Sequence, residues 1–182
     1  LAGLACVVLS VWGMEIIATQ PNPDAGKSEA IMMGPQIKRV ESKLDHLDLE
    51  GFPELKIKRE EINGALSIGK RLLGEKDWSR AVPCLAGVTN GWAVLMKGLA
   101  QSEAEVAAEI GVKLESLSVE GSETFKEKSG QIVQHFTEGK EKLAVGEFEV
   151  AVDFFSLGRK KWSSLAKDMA TEMEARADKA NA

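Results

Sequence analysis

The chain has 182 residues, enough for one fair-sized domain with a buried core or for a short array of repeats. Apolar residues make up 44% and aromatics only 5%, with no tyrosine. That counts against a β-sandwich or barrel and for helices, which prefer the abundant Ala, Leu, Glu and Lys. The net charge of −5 argues against nucleic acid as a partner, because phosphates require a basic face; the one compact basic run, Arg159-Lys160-Lys161, is balanced by Glu149 and Asp153.

Leu1 to Met14 carries no charge, and Ile16, Ile17 and Ala18 extend the apolar run beyond Glu15. An eighteen-residue helix spans about 27 Å, close to the ~30 Å hydrocarbon core of a bilayer, a borderline span on its own that residues upstream of Leu1 could complete. Residues 1–19 are therefore predicted to be a membrane-anchor helix that meets lipid through 1–18, with Trp12 at the interface and Glu15 reaching the headgroups. A cleaved signal-peptide core and a helix folded back on the domain are the rival readings. Beyond the segment Glu15 and Asp24 precede Lys27. Such a flank lacks the Lys/Arg excess of a cytoplasmic side and places the rest of the chain on the trans side, an organellar lumen or periplasm. Residues 20–36 hold Pro21, Pro23 and Pro35 and read as a linker. Cys6, in the apolar run, and Cys84, in a helical stretch, form no redox motif and are not expected to pair.

Sliding the chain against itself by 70 positions brings Lys43-Leu44 over Lys113-Leu114, Glu50-Gly51 over Glu120-Gly121, and Gly69-Lys70 over Gly139-Lys140. Ala81-Val82 falls on Ala151-Val152, Trp92 on Trp162 and Leu95 on Leu165; between 43–100 and 113–170, 17 of 58 positions are identical. Chance gives about a quarter of that at ordinary residue frequencies, so we read an internal duplication. Residues 37–106 form the first unit and 107–182 the second.

Each unit reads as three helical stretches. Ile37, Val40, Leu44 and Leu47 recur at helical spacing, as do Ile110, Leu114 and Leu117. Both runs end at Glu-Gly, where the glycine suits a left-handed cap. A second helix is expected from about Pro53 to Leu73 and from Glu123 to Val145, with Pro53 in the first turn. A third is expected over about 79–100 and from Glu149 toward Lys179. Ser102 with Glu105 reads as a capping box that opens a new helix at the centre of the chain, and Pro83 should kink the third helix or delay its start. The fold class is all-α: an anchor helix followed by a duplicated helical-repeat bundle.

The turn between second and third helices resembles a tetratricopeptide hairpin. Gly139, Gly146-Glu147-Phe148, Ala151-Val152 and Phe155 stand at that family's spacings, and Gly69, Asp77-Trp78, Ala81-Val82 and Leu85 match the same places. The resemblance covers about 69–88 and 139–158. It implies close helix approach at the small residues, with an aromatic plug at the contact, and it implies protein–protein binding. The anchors of the repeat are then Gly69, Trp78, Ala81, Trp92, Gly139, Phe148, Ala151 and Trp162.

Chemistry-bearing motifs are absent from the sequence: no phosphate loop, HExxH, CxxC or nucleophile elbow. His46 and His135 are the only histidines, and Gln131 and Glu138 beside His135 fall short of a metal site. No catalytic, cofactor or metal residues are assigned. The sequence thus suggests a non-enzymatic scaffold subunit of a membrane complex, photosynthetic or respiratory, whose partners are other protein subunits and the bilayer. The alternative is an extracytoplasmic helical-bundle sensor with an apolar pocket between the two units.

Overall fold

The computed structural model describes residues 24–117 and 123–180, all but a few turn residues in five helices, with no strand among the described residues. These are α1 (Lys27–His46), α2 (Pro53–Gly74), α3 (Trp78–Leu117), α4 (Glu123–Ala144) and α5 (Phe148–Ala180). The anchor expected over 1–19, with Trp12 and Glu15, lies outside the described residues. No helix among the described ones is long and apolar enough to cross a membrane.

Three sequence expectations are corrected. The stretch read as a linker is helical from Lys27 onward, through Pro35. Ala30, Met33, Ile37, Val40 and Leu44 follow each other at intervals of three and four, and this apolar stripe packs on the core across the proline. Gly51 does not cap α1, which ends at His46. It takes φ +92° in a turn where the Phe52 amide donates to the Leu49 carbonyl at 3.1 Å. The third correction is the largest. No helix starts at Ser102, because α3 runs unbroken for 40 residues. Trp92, Leu95, Met96, Leu99, Glu103, Ala107, Ile110 and Leu114 form one continuous buried stripe, and burial on both sides of Ser102 overrides the local capping signal. Pro83 lies inside α3 without delaying it: the helix opens at Trp78, and the Asp77 carboxylate accepts from the Arg80 amide at 3.3 Å as an N-cap does.

The helix bounds carry the 70-residue offset. The helix α2 spans 53–74 and α4 spans 123–144; α3 opens at 78 and α5 at 148. The two hairpin turns also share one hydrogen-bond pattern. The Asp77 amide donates to the Leu72 carbonyl and Lys76 to Leu73, while Glu147 donates to Lys142 and Gly146 to Leu143. This is the Schellman arrangement, with Lys76 (φ +59°) and Gly146 (φ +79°) in the left-handed position it requires.

Packing is antiparallel within the α2/α3 and α4/α5 pairs, while α5 runs parallel to the second half of α3. The helix α1 lies on α3 and barely touches α2. One hydrophobic cluster runs from Ile37 on α1 to Leu165 on α5, so the two halves share a core.

Candidate binding groove and its supports

The close pairs α2/α3 and α4/α5 are set by four glycines. A Cβ on Gly69 would stand 2.7 Å from Leu85 Cδ2, and one on Gly139 would stand 2.7 Å from the Phe155 ring. On Gly91 it would meet Ile62 at 2.9 Å, and on Gly158 it would meet Phe136 at 2.4 Å. Gly69 and Gly139 therefore seat Leu85 and Phe155, and both of those side chains are fully buried. Ala81 and Ala151 are buried beside them. Trp78, Phe148 and Trp162 are half-buried, while Trp92 is buried and does more than fill space.

Trp92 belongs to a polar hub that joins α1, α3 and α5. Its indole Nε1 donates to Glu149 Oε1 at 2.7 Å, and Lys43 and Arg39 both donate to Glu149 Oε2 at 2.5 Å. Burial pushes the Glu149 carboxyl up, but the hydrogen bonds from Lys43, Trp92 and Arg39 outweigh it and hold the pKa below the ordinary 4.5. One helical stretch further along, Glu103 of α3 is buried to 2% exposure and pairs with Arg159 of α5 at 3.1 Å. Arg159 also reaches Asp48, in the connection after α1, at 3.5 Å. Glu103 Oε2 has no hydrogen-bond partner. Desolvation raises the Glu103 pKa, Arg159 opposes the rise, and Asp48 adds to it. These two carboxylates tie the halves together beside the hydrophobic cluster that they share.

A groove of about 510 Å³ runs between the C-terminal part of α3 and α4. Ala107 and Phe136 are buried at its base, half-buried Gly111 and exposed Gly130 stand on opposite walls, its lips include Val112 and Val133, and Lys140 stands at one end. Val112 is 69% exposed and Val133 49%. The groove exists because α4 leans on α5 far more than on α3, and because the facing positions carry almost no side chain. Nothing local in the sequence marks this groove; two helical glycines without an evident use, Gly111 and Gly130, are the available signal.

Neither histidine is at a site. His46 is exposed at the end of α1. His135 packs near Phe154, its Nδ1 is 3.8 Å from Glu138, and Gln131 is engaged by Lys161. Among the described residues no group of three or more His, Cys, Asp or Glu could hold a metal ion. Cys84 is a half-buried free thiol on α3. Comparison with protein-family models, with curated proteins and with solved structures finds no match to this chain.

Proposed function

We propose that this protein is a non-enzymatic helical scaffold, built by duplication of a tetratricopeptide-like unit, that holds a protein partner in the groove between α3 and α4. The observation that carries the reading is the groove itself: an apolar trough with exposed valine lips. Apolar grooves between helices are a recurring seat for a partner helix. The duplication is supported by the 70-residue offset shared by sequence identities, helix bounds and hairpin turns. The absence of catalytic motifs from the sequence favours binding over chemistry. Attachment to a bilayer through residues 1–18, with the body on the trans side of a membrane complex, is the setting we propose from the uncharged run Leu1–Met14.

Photo-crosslinking tests the reading in the membrane of origin. A photo-reactive side chain replacing Val112 or Val133 should capture one discrete polypeptide, and the same group replacing exposed Arg80 should not. Absence of an adduct from both groove positions, with the detergent-solubilised protein migrating as a lone monomer, refutes the scaffold. A second reading, a small-molecule binding module, draws on the volume of the groove, which falls within the ~300–1,000 Å³ of ligand pockets. It requires a thermal shift with a small apolar compound that a Val133→Glu substitution removes.

A further inference from the structure

The first half of the chain serves as an internal reference for the groove in the second, an argument that rests on the duplication proposed above. Seventy residues before Gly111 stands Glu41, and seventy before Lys140 stands Lys70. In the first half these two meet: Lys70 Nζ of α2 donates to Glu41 Oε1 of α1, an ion pair that crosses between the helices. The second half keeps the lysine and deletes the carboxylate. Lys140 has no ion-pair or hydrogen-bond partner among the described residues, and position 111 is glycine.

Five other lining positions change in the same sense, while Leu114 and Lys126 repeat Leu44 and Lys56, Glu115 stands for Asp45, and Phe136 replaces Leu66 with a larger side chain. Ile37 becomes Ala107, Arg59 becomes Ser129 and Glu60 becomes Gly130, while Ser42 and Asn63 become Val112 and Val133. Bulk or charge is removed at 107, 129 and 130, and apolar surface is added at the lips. Helical glycine costs about 1 kcal/mol relative to alanine, so a glycine kept inside a helix needs a reason. Gly69, Gly91, Gly139 and Gly158 have one, since a Cβ there strikes the neighbouring helix. Gly111 and Gly130 do not, because a Cβ on either meets nothing within 4 Å. Gly34, Gly64 and Gly87 also stand in open space, so freedom alone is no signal. What distinguishes 111 and 130 is that they lie on opposite walls of one groove. Lys126 and Glu115, one of each sign, also line it, which leaves Lys140 as the uncompensated charge.

We propose that the groove receives an amphipathic helix from a partner protein, with small and aliphatic residues on its buried face and a carboxylate at its flank that pairs with Lys140. The partner carboxylate takes the place that Glu41 holds beside Lys70. The small residues lining the groove let the incoming backbone approach to the 8–10 Å interaxial distance of packed helices. The valine lips close on its apolar stripe.

Fluorescence anisotropy on the full chain tests this with two labelled eighteen-residue helical peptides. Both carry Ala and Leu at i, i+3, i+4 and i+7; one has Glu on the flank and the other Gln. The Glu peptide should bind about three- to fivefold more tightly, the range of a partly exposed ion pair. Lys140→Gln should abolish that preference, so that the two peptides bind about equally well to the variant. Gly111→Glu, which restores the carboxylate of the first half and has room for it, should weaken both peptides by more than about tenfold without lowering the melting temperature. Equal binding of the two peptides to the wild-type chain overturns the carboxylate while leaving the protein-binding groove standing. Binding that ignores Gly111→Glu, or absent for both peptides, overturns the proposal and the groove reading together. A wild-type dimer in sedimentation that Gly111→Glu converts to monomer gives the groove to a second copy, and also overturns it.

Discussion

Replacing the glycines by alanine should divide them into two groups of opposite sign. Alanine is the better helix former by about 1 kcal/mol, so a substitution into open space stabilises the protein by roughly that amount. At Gly139 the added Cβ would lie 2.7 Å from the Phe155 ring, and at Gly158 it would lie 2.4 Å from Phe136. Carbon atoms rest at about 3.5–4.0 Å, so each contact is short by an ångström or more. Both rings are buried and planar, and neither can yield without moving a helix. Overpacking of this kind costs about 1–3 kcal/mol, with Gly158→Ala at the upper end. After the propensity gain, Gly139→Ala should lose about 1 kcal/mol and Gly158→Ala about 2 kcal/mol. For a chain of this length that is a fall of about 2–4 °C per kcal/mol in melting temperature. Gly111→Ala should rise by a similar step. Urea and thermal denaturation followed by circular dichroism at 222 nm read all three. If Gly139→Ala and Gly158→Ala prove as stable as Gly111→Ala, the glycines do not set the helix approach and the hairpin packing described above is wrong.

Glu149→Gln should cost about 1–2 kcal/mol at pH 7, from charge-assisted hydrogen bonds discounted for the exposure of Arg39 and Lys43. Because the folded Glu149 pKa lies below 4.5, its contribution is present above that pH and is lost as pH falls through the folded value. Wild type and variant should therefore converge in urea melts run in acid. Glu103 behaves in the opposite sense: its raised folded pKa gives stability below pH 4.5 that fades as pH rises through the folded value. Glu103→Gln should flatten the decline between mildly acidic and neutral pH, and an unchanged slope counts against the buried carboxylate as its source. Lys76→Gly should raise the melting temperature by relieving a left-handed non-glycine residue, a gain of about 1 kcal/mol. Ser102→Ala should be neutral or stabilising by a few tenths of a kcal/mol, as expected in mid-helix; a loss near 1 kcal/mol would mean that a cap operates there.

Helix content, the hairpin turns and the starts of α2 and α4 could be read from local chemistry. Pro53 opens a helix, Gly146 takes positive φ, and apolar residues keep the helical period. The misreadings share one cause. Gly34 and Pro35 look like a linker in isolation, and Ser102 with Glu105 looks like a cap, but each lies within an apolar stripe that continues on both sides. Tertiary burial decides such cases, and it is not a local property. The polar hub was beyond local reading for a different reason. Glu149 is separated by 57 residues from Trp92 and by 106 from Lys43, so nothing near it in the chain marks it as more than a solvated charge. The groove was the least legible feature. It consists of missing side chains, and those acquire meaning only against the residues that fill the same positions in the other half.

The unbroken α3 has a consequence for how the two halves can vary. One helix serves both, so their relative position is fixed by its phase and not by a hinge. Each residue of an α-helix advances about 1.5 Å and turns about 100°. A single insertion or deletion near Leu99 would swing Glu103, Ala107, Ile110 and Leu114 off the core and carry α4 and α5 around with them. The length of α3 thus acts as a clock setting between the halves, tolerant of substitution on its outer face and intolerant of any change in count.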